Sequence, residues 1–198
     1  AVLPTPAGGF IAAGRRGVPA IGMVDDAYLT KLDPDGRIQW EGAYGGNDAE
    51  NIVALTLTTT GDYAFTGFTN SFDVNGTDAD VFVGLVDPDG NLRWQRSLGG
   101  IRSDRGNGIA ATPDGGLIVT GCWDCFGPSE LYLLKLDAGG NVEWAFHDYQ
   151  PGYTAEGFAV RPTADGGYAV TGWVNQGGSR MLFLLTTDAA GQLLWQEV

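Results

Sequence analysis

Few side chains in this sequence combine a type and a spacing that could do chemistry, and most of them stand in two loops. In FTNSFDVNGTDADVF, Asp73, Asn75, Asp78 and Asp80 offer hard oxygen ligands at alternating positions, and Gly76 permits tight curvature. These are ingredients of a calcium loop, although the bidentate glutamate that completes one is missing. The stretch therefore reads either as a Ca²⁺ site, the one cofactor the sequence suggests, or as a solvated acidic loop. Asn75-Gly76-Thr77 in the same loop is an N-glycosylation acceptor. In GCWDCFG, Cys122 and Cys125 are the only two cysteines. A C-x-x-C pair serves as a redox centre, as half of a zinc site or as a local disulfide. Redox versions usually precede a helix, and zinc needs two further ligands, which the single histidine, His147, cannot supply alone. A Cys122–Cys125 disulfide is the simplest expectation, with free thiols next.

One histidine also removes most Ser/His and His-cluster schemes, and neither G-x-S-x-G nor a phosphate-cradling glycine pattern occurs. Carboxylates are abundant enough to pair as in a glycosidase, but the repeat described below explains most of them as turn residues. No catalytic residue is assigned, and the chain is expected not to be an enzyme. Eleven basic against 24 acidic residues give a formal charge of −13. That sign argues against nucleic acid or anionic lipid as a partner. No apolar run approaches the roughly 18 residues of a membrane span, so no membrane insertion is expected. No cleavable signal is visible at Ala1; an export signal, if there is one, has been removed or lies outside this sequence.

The elements that must carry these loops are announced by an internal repeat. Trp40, Trp94, Trp144 and Trp195 are separated by 54, 50 and 51 residues, and an aspartate stands seven residues before each: Asp33, Asp87, Asp137 and Asp188. Between them, at one fixed offset, lie Gly36, Gly90, Gly140 and Gly191, in DPDGRIQW, DPDGNLRW, DAGGNVEW and DAAGQLLW. The Asp-x-x-Gly element reads as a hairpin, with Asp accepting from turn amides and Gly taking the positive-φ position. A second anchor runs through GGFIAAG, GDYAFTG, GGLIVTG and GGYAVTG. Each unit reads as strand, turn, strand, loop, strand, hairpin, strand, and no helical period competes. The 32 glycines and nine prolines suit many short strands joined by tight turns. The expected fold is all-β, a β-propeller of four four-stranded antiparallel blades in one domain over 1-198, with units of about 1-46, 47-100, 101-152 and 153-198. Tyr28, Phe82, Tyr132 and Phe183, with the repeated tryptophans, are expected to fill the core between blades; the alternative is an exposed stacking platform for sugar rings.

The pattern A-V-x-x-T-x-D-G-G-Y-x-V-T-G, followed by D-A-Y-L-x-K-L-D-x-D-G-N-x-x-W, resembles the repeats of bacterial and archaeal extracellular β-propeller proteins, the PQQ-like and SBBP-type groups. The resemblance covers essentially the whole chain and implies an extracellular or cell-surface protein; it carries over no catalytic residue. Propellers of this type would usually have more blades. Four units leave a closed four-bladed ring, half of a dimeric eight-bladed ring, or a segment of a longer array. The termini fall flush with a unit boundary, short of its connector, so a fragment or processed product is a further expectation. The functional expectation is a structural, adhesive or self-assembling surface module whose partner is protein or a second copy. A carbohydrate-binding propeller is the alternative, with glycan as partner. The unequal loops RRGVPAIGMVD, FTNSFDVNGTDA, CWDCFGPS and WVNQGGS speak against repeated sugar pockets.

Overall fold

The computed structural model describes residues 1–17, 25–72, 78–148 and 152–198. Sixteen strands follow one another without a helix among the described residues. The first sheet holds β1 (Val2–Pro4), β2 (Phe10–Gly17), β3 (Asp25–Leu32) and β4 (Ile38–Tyr44), and the second β5 (Glu50–Leu57), β6 (Tyr63–Thr69), β7 (Asp80–Val86) and β8 (Leu92–Leu98). The third holds β9 (Arg105–Ala111), β10 (Leu117–Trp123), β11 (Glu130–Leu136) and β12 (Val142–Asp148). The fourth holds β13 (Tyr153–Pro162), β14 (Tyr168–Gln176), β15 (Ser179–Thr187) and β16 (Leu193–Glu197). Each sheet is an antiparallel meander in chain order. These are four propeller blades, with strands hydrogen-bonded within a blade and side chains packed between blades.

The repeated residues account for the local geometry. In the β3–β4 hairpin the Asp33 Oδ1 accepts from the amides of Asp35 and Arg37 at 2.9 and 2.8 Å, while Gly36 turns the chain at φ 80°. Asp87, Asp137 and Asp188 accept from the corresponding amides of their own hairpins. The Asp-x-Asp-Gly stretches are thus turns whose first carboxylate is already used. Beyond each hairpin the register slips by one residue, so that Trp40, Trp94, Trp144 and Trp195 face Lys31, Leu85, Lys135 and Thr186. A bulge of this kind re-aims the side chain that follows it.

Packing proceeds in chain order, first blade on second, second on third, third on fourth. Three apolar clusters fill the three joints. Alternation along the third strand of each blade decides which joint a residue enters. Phe82 and Val86 face the first blade, whereas Val81, Val83 and Leu85 face the third. Tyr132, Leu134 and Leu136 face the second blade, and Leu131 and Leu133 the fourth. Phe82, Tyr132 and Phe183 are fully buried, so these rings are joint-filling side chains, whereas Tyr28, expected among them, is only half-buried, with the Arg16 guanidinium 4.9 Å from its ring centroid.

Candidate functional site

Each joint is closed by the same device. The Trp40 indole lies over the next blade's hairpin and donates to the Pro88 carbonyl at 2.9 Å; Trp94 does the same to Ala138 at 3.1 Å. The hairpin glycine is where the ring rests: a Cβ on Gly90, Gly140 or Gly191 would meet Trp40, Trp94 or Trp144 at 2.9, 2.8 and 2.6 Å. Around this contact, Lys31 Nζ reaches the Pro88 carbonyl at 2.9 Å, Tyr44 donates to the Gly90 carbonyl at 2.7 Å, and Arg96 donates to the Gly139 carbonyl at 3.1 Å. In the last joint the Trp144 and Tyr168 rings lie 5.7 Å apart.

The outward faces of the first and fourth blades carry the same residues with no blade against them. Leu182 and Leu184 align with Ala27 and Leu29, Val81 and Val83, and Leu131 and Leu133. Those six are buried, but Leu182 is 74% and Leu184 43% exposed. Phe10 aligns with Tyr63, Leu117 and Tyr168, all buried, and is itself 49% exposed. Trp195 is 47% exposed, and nothing lies within 4 Å of where a Cβ on Gly36 would stand. Scattered surface apolar residues are ordinary; here interior positions of the repeat are exposed together on the outward faces of the first and fourth blades.

At the loop end of the blades, two buried carboxylates fasten the connections between blades. Glu50 opens β5 and accepts from the Gly46 amide at 3.2 Å, from Thr69 Oγ1 at 2.7 Å and from Ser71 Oγ. Asp104, just ahead of β9, accepts from the amides of Gly100 at 2.9 Å and Asp124 at 2.8 Å. Each is the residue four places after a Gly-Gly pair, in GGNDAE and GGIRSD. That spacing was the available signal for them, and the sequence reading assigned them no role.

Burial raises the Asp104 carboxyl to about 6, and the nearby charges of Asp80 and Asp124 add to the rise against the two amide hydrogen bonds. In the folded chain Asp104 thus binds its proton more tightly than in the unfolded chain. Stability falls as pH rises from about 4 to about 6, by an amount on the order of 2 kcal/mol. Asp114 behaves oppositely. Although partial burial opposes it, hydrogen bonds from Thr112, Lys135 and the Gly116 amide together with the Lys135 charge lower it to about 2, so its contribution is lost as pH falls below about 4. Denaturant unfolding is expected to show maximal stability between these windows. Asp104→Asn should lower overall stability, since its amide nitrogen faces one of the two backbone donors, and should shrink the decline above pH 4. Some decline persists because burial also raises Glu156. An unchanged slope in Asp104→Asn would contradict the assignment.

Of the loop residues singled out by sequence, Asp73 and Asn75 lie outside the described residues, so the glycosylation acceptor and half of the candidate calcium set have no described geometry. Asp80 is buried at the start of β7 and accepts from Ser97 Oγ at 2.9 Å; Asp78 lies just before the strand. Among the described residues no three His, Cys, Asp or Glu side chains form a metal-holding group. Cys122 and Cys125 are joined in a disulfide, with Cα atoms 5.3 Å apart. Between them Asp124 takes φ 54° and pairs with Arg102 at 2.5 Å. His147 lies edge-on to Trp123 at 4.9 Å, with Glu130 at 3.9 Å.

No family model and no curated protein matches this chain. Among solved structures it is similar to a puromycin hydrolase, at 17% identity and a TM-score of 0.49, covering 96% of this chain and 31% of that one. It is also similar to a mutant of that hydrolase complexed with PGG, at 17% identity and a TM-score of 0.47, covering 97% and 32%. The chain thus spans about a third of the length of these structures. The expectation that the chain is not an enzyme is corrected on this finding: both structures are of a hydrolase, and the exclusion of catalysis is withdrawn. At 17% identity and these TM-scores the likeness assigns no residue here to a reaction.

Proposed function

We propose that this chain is an interaction module, a rigid row of blades that docks protein on the outward faces of its terminal blades in a structural, adhesive or self-assembling role. The observation that carries this reading is the exposure of Leu182 and Leu184 at positions buried in every other blade. Leaving two leucines in water forgoes about 1.5–3 kcal/mol each relative to burial, a driving force that a partner face recovers. An extracellular or cell-surface setting is part of the proposal. The Cys122–Cys125 disulfide supports it, because such bonds persist mainly in oxidising compartments, and so does the resemblance of the repeats.

Sedimentation velocity over a wide concentration range tests the self-assembling form of the reading. The wild-type chain is expected to associate, and Leu182→Asp with Leu184→Asp is expected to abolish association without lowering the melting temperature of the dissociated chain. Association that survives both substitutions would refute the role of this face.

A further inference from the structure

We propose that the joint between the second and third blades is a binding site for one small aromatic ring that carries a hydrogen-bond donor, a phenol in its simplest form. The site lies apart from the outward faces of the terminal blades and does not depend on docking there. The two blades leave a cavity of about 200 Å³ between them, walled by Val81 and Leu98 on one side and by Leu134 and Ala145 on the other. Trp123 and His147 frame it, their rings edge to face with centroids 4.9 Å apart. An apolar cavity of about 150 Å³ already takes a benzene ring, so this one has room for such a ring and a small substituent.

The first joint shows which groups the cavity lacks. There Gln95, the counterpart of Ala145, crosses to the first blade and donates its amide to the Gly45 carbonyl at 3.1 Å. Tyr44, the counterpart of Leu98, adds a buried ring 5.9 Å from that of Phe65. In the second joint both side chains are cut back. Arg96, which stands where Gly42 lies against the Tyr44 ring, turns to the hairpin carbonyl of Gly139 and does not line the cavity. The counterpart of the Gly45 carbonyl is that of Gly99, which stands at the rim of the cavity and receives no protein donor among the described residues. A phenol supplies both missing parts, its ring between Leu98 and Leu134 and its hydroxyl donating to the Gly99 carbonyl.

The frame is held in place by the protein itself. Trp123 lies inside the loop that the Cys122–Cys125 disulfide closes; Asp124 in that loop pairs with Arg102, and the Cys125 amide donates to the Ser103 carbonyl at 2.7 Å. The cysteine pair and the single histidine, which sequence gave no common role, thus meet at one site. Walls fixed before the ligand arrives lower the ordering cost of binding it.

Titration with p-cresol, followed on the imidazole Cε1–H NMR signal of His147, tests the site, because a single histidine gives a single such signal. A saturable shift with a Kd of about 1 mM is expected. Toluene, which keeps the ring and lacks the donor, should bind about fivefold more weakly. Ala145→Gln restores the side chain of the first joint from an exposed position on β12 and should weaken p-cresol binding by about tenfold or more with the melting temperature kept. Ala145→Leu fills the same space without an amide and should do likewise. N-acetyltyrosinamide, titrated alongside, separates two sources of such a ring: binding as tight as that of p-cresol supports a tyrosine side chain, and weaker binding supports a free phenol. A shift that stays linear up to the solubility limit of p-cresol, or a saturable one that both substitutions leave unchanged, would overturn the site. Toluene binding as tightly as p-cresol would overturn the donor requirement and the role of the Gly99 carbonyl.

Discussion

Gly121→Ala is expected to destabilise the chain by about 3 kcal/mol, lowering the melting temperature by about 6–12 °C, whereas Gly14→Ala should change stability by no more than about 0.5 kcal/mol. Both glycines close the second anchor of their blade, and sequence gives no reason to separate them. In the third blade a Cβ at position 121 would stand 1.8 Å from the Arg105 carbonyl oxygen. The cause is a register shift between β9 and β10 at this point, which turns that oxygen toward the glycine. Gly67 and Gly172 face the Asn51 and Glu156 oxygens at the same 1.8 Å across the same kind of bulge. In the first blade, β1 spans only Val2–Pro4 and does not reach the level of Gly14, where nothing lies within 4 Å. Thermal unfolding of the two variants side by side checks the contrast. Equal losses would mean that the bulge does not set the glycine requirement.

Leu131→Ala is expected to cost about 2–5 kcal/mol, and the aligned Leu182→Ala less than about 1 kcal/mol in the dissociated chain. Leu131 is fully buried in the joint with the fourth blade, so its truncation leaves a cavity among Phe183, Leu185 and their neighbours. Leu182 projects into solvent, and its truncation leaves none. Denaturant titration at a concentration too low for association gives both values. When the same measurement is repeated on associated protein, Leu182→Ala should become costly too, because on the proposed docking a partner then covers position 182. A cost that stays small in the associated state would place the contact elsewhere.

How much of this was legible in the sequence depended on whether a property belonged to one blade or to neighbouring blades. The Asp33 and Asp87 hairpins follow from local chemistry, with a carboxylate satisfying turn amides and a glycine at positive φ, and so sequence sufficed. The burial of Phe82, Tyr132 and Phe183 was legible because period-two alternation within a repeat marks a common interior. The exposure of Leu182 was not, since its sequence context matches that of Leu131, and the two differ only in that fourth-blade residues pack on Leu131. Glu50 and Asp104 were passed over because an acidic residue at a strand start resembles any surface carboxylate until the Gly-Gly connection folds back over it. The Cys122–Cys125 disulfide was accessible from spacing, whereas the acidic loop at Asp73 to Asp80 offered ligand types without a geometry to judge them by.

The proposed function places protein docking, and in its self-assembling form a second copy, on the outward faces of the first and fourth blades. Hydroxyl-radical footprinting of Phe10, Leu182 and Trp195, followed by mass spectrometry over a range of protein concentrations, tests it most directly. Joint protection of all three side chains as the chain associates, with the already buried Tyr63 and Leu131 unchanged, is the predicted result. Association that leaves Phe10 and Trp195 as reactive as in the dilute chain would contradict it.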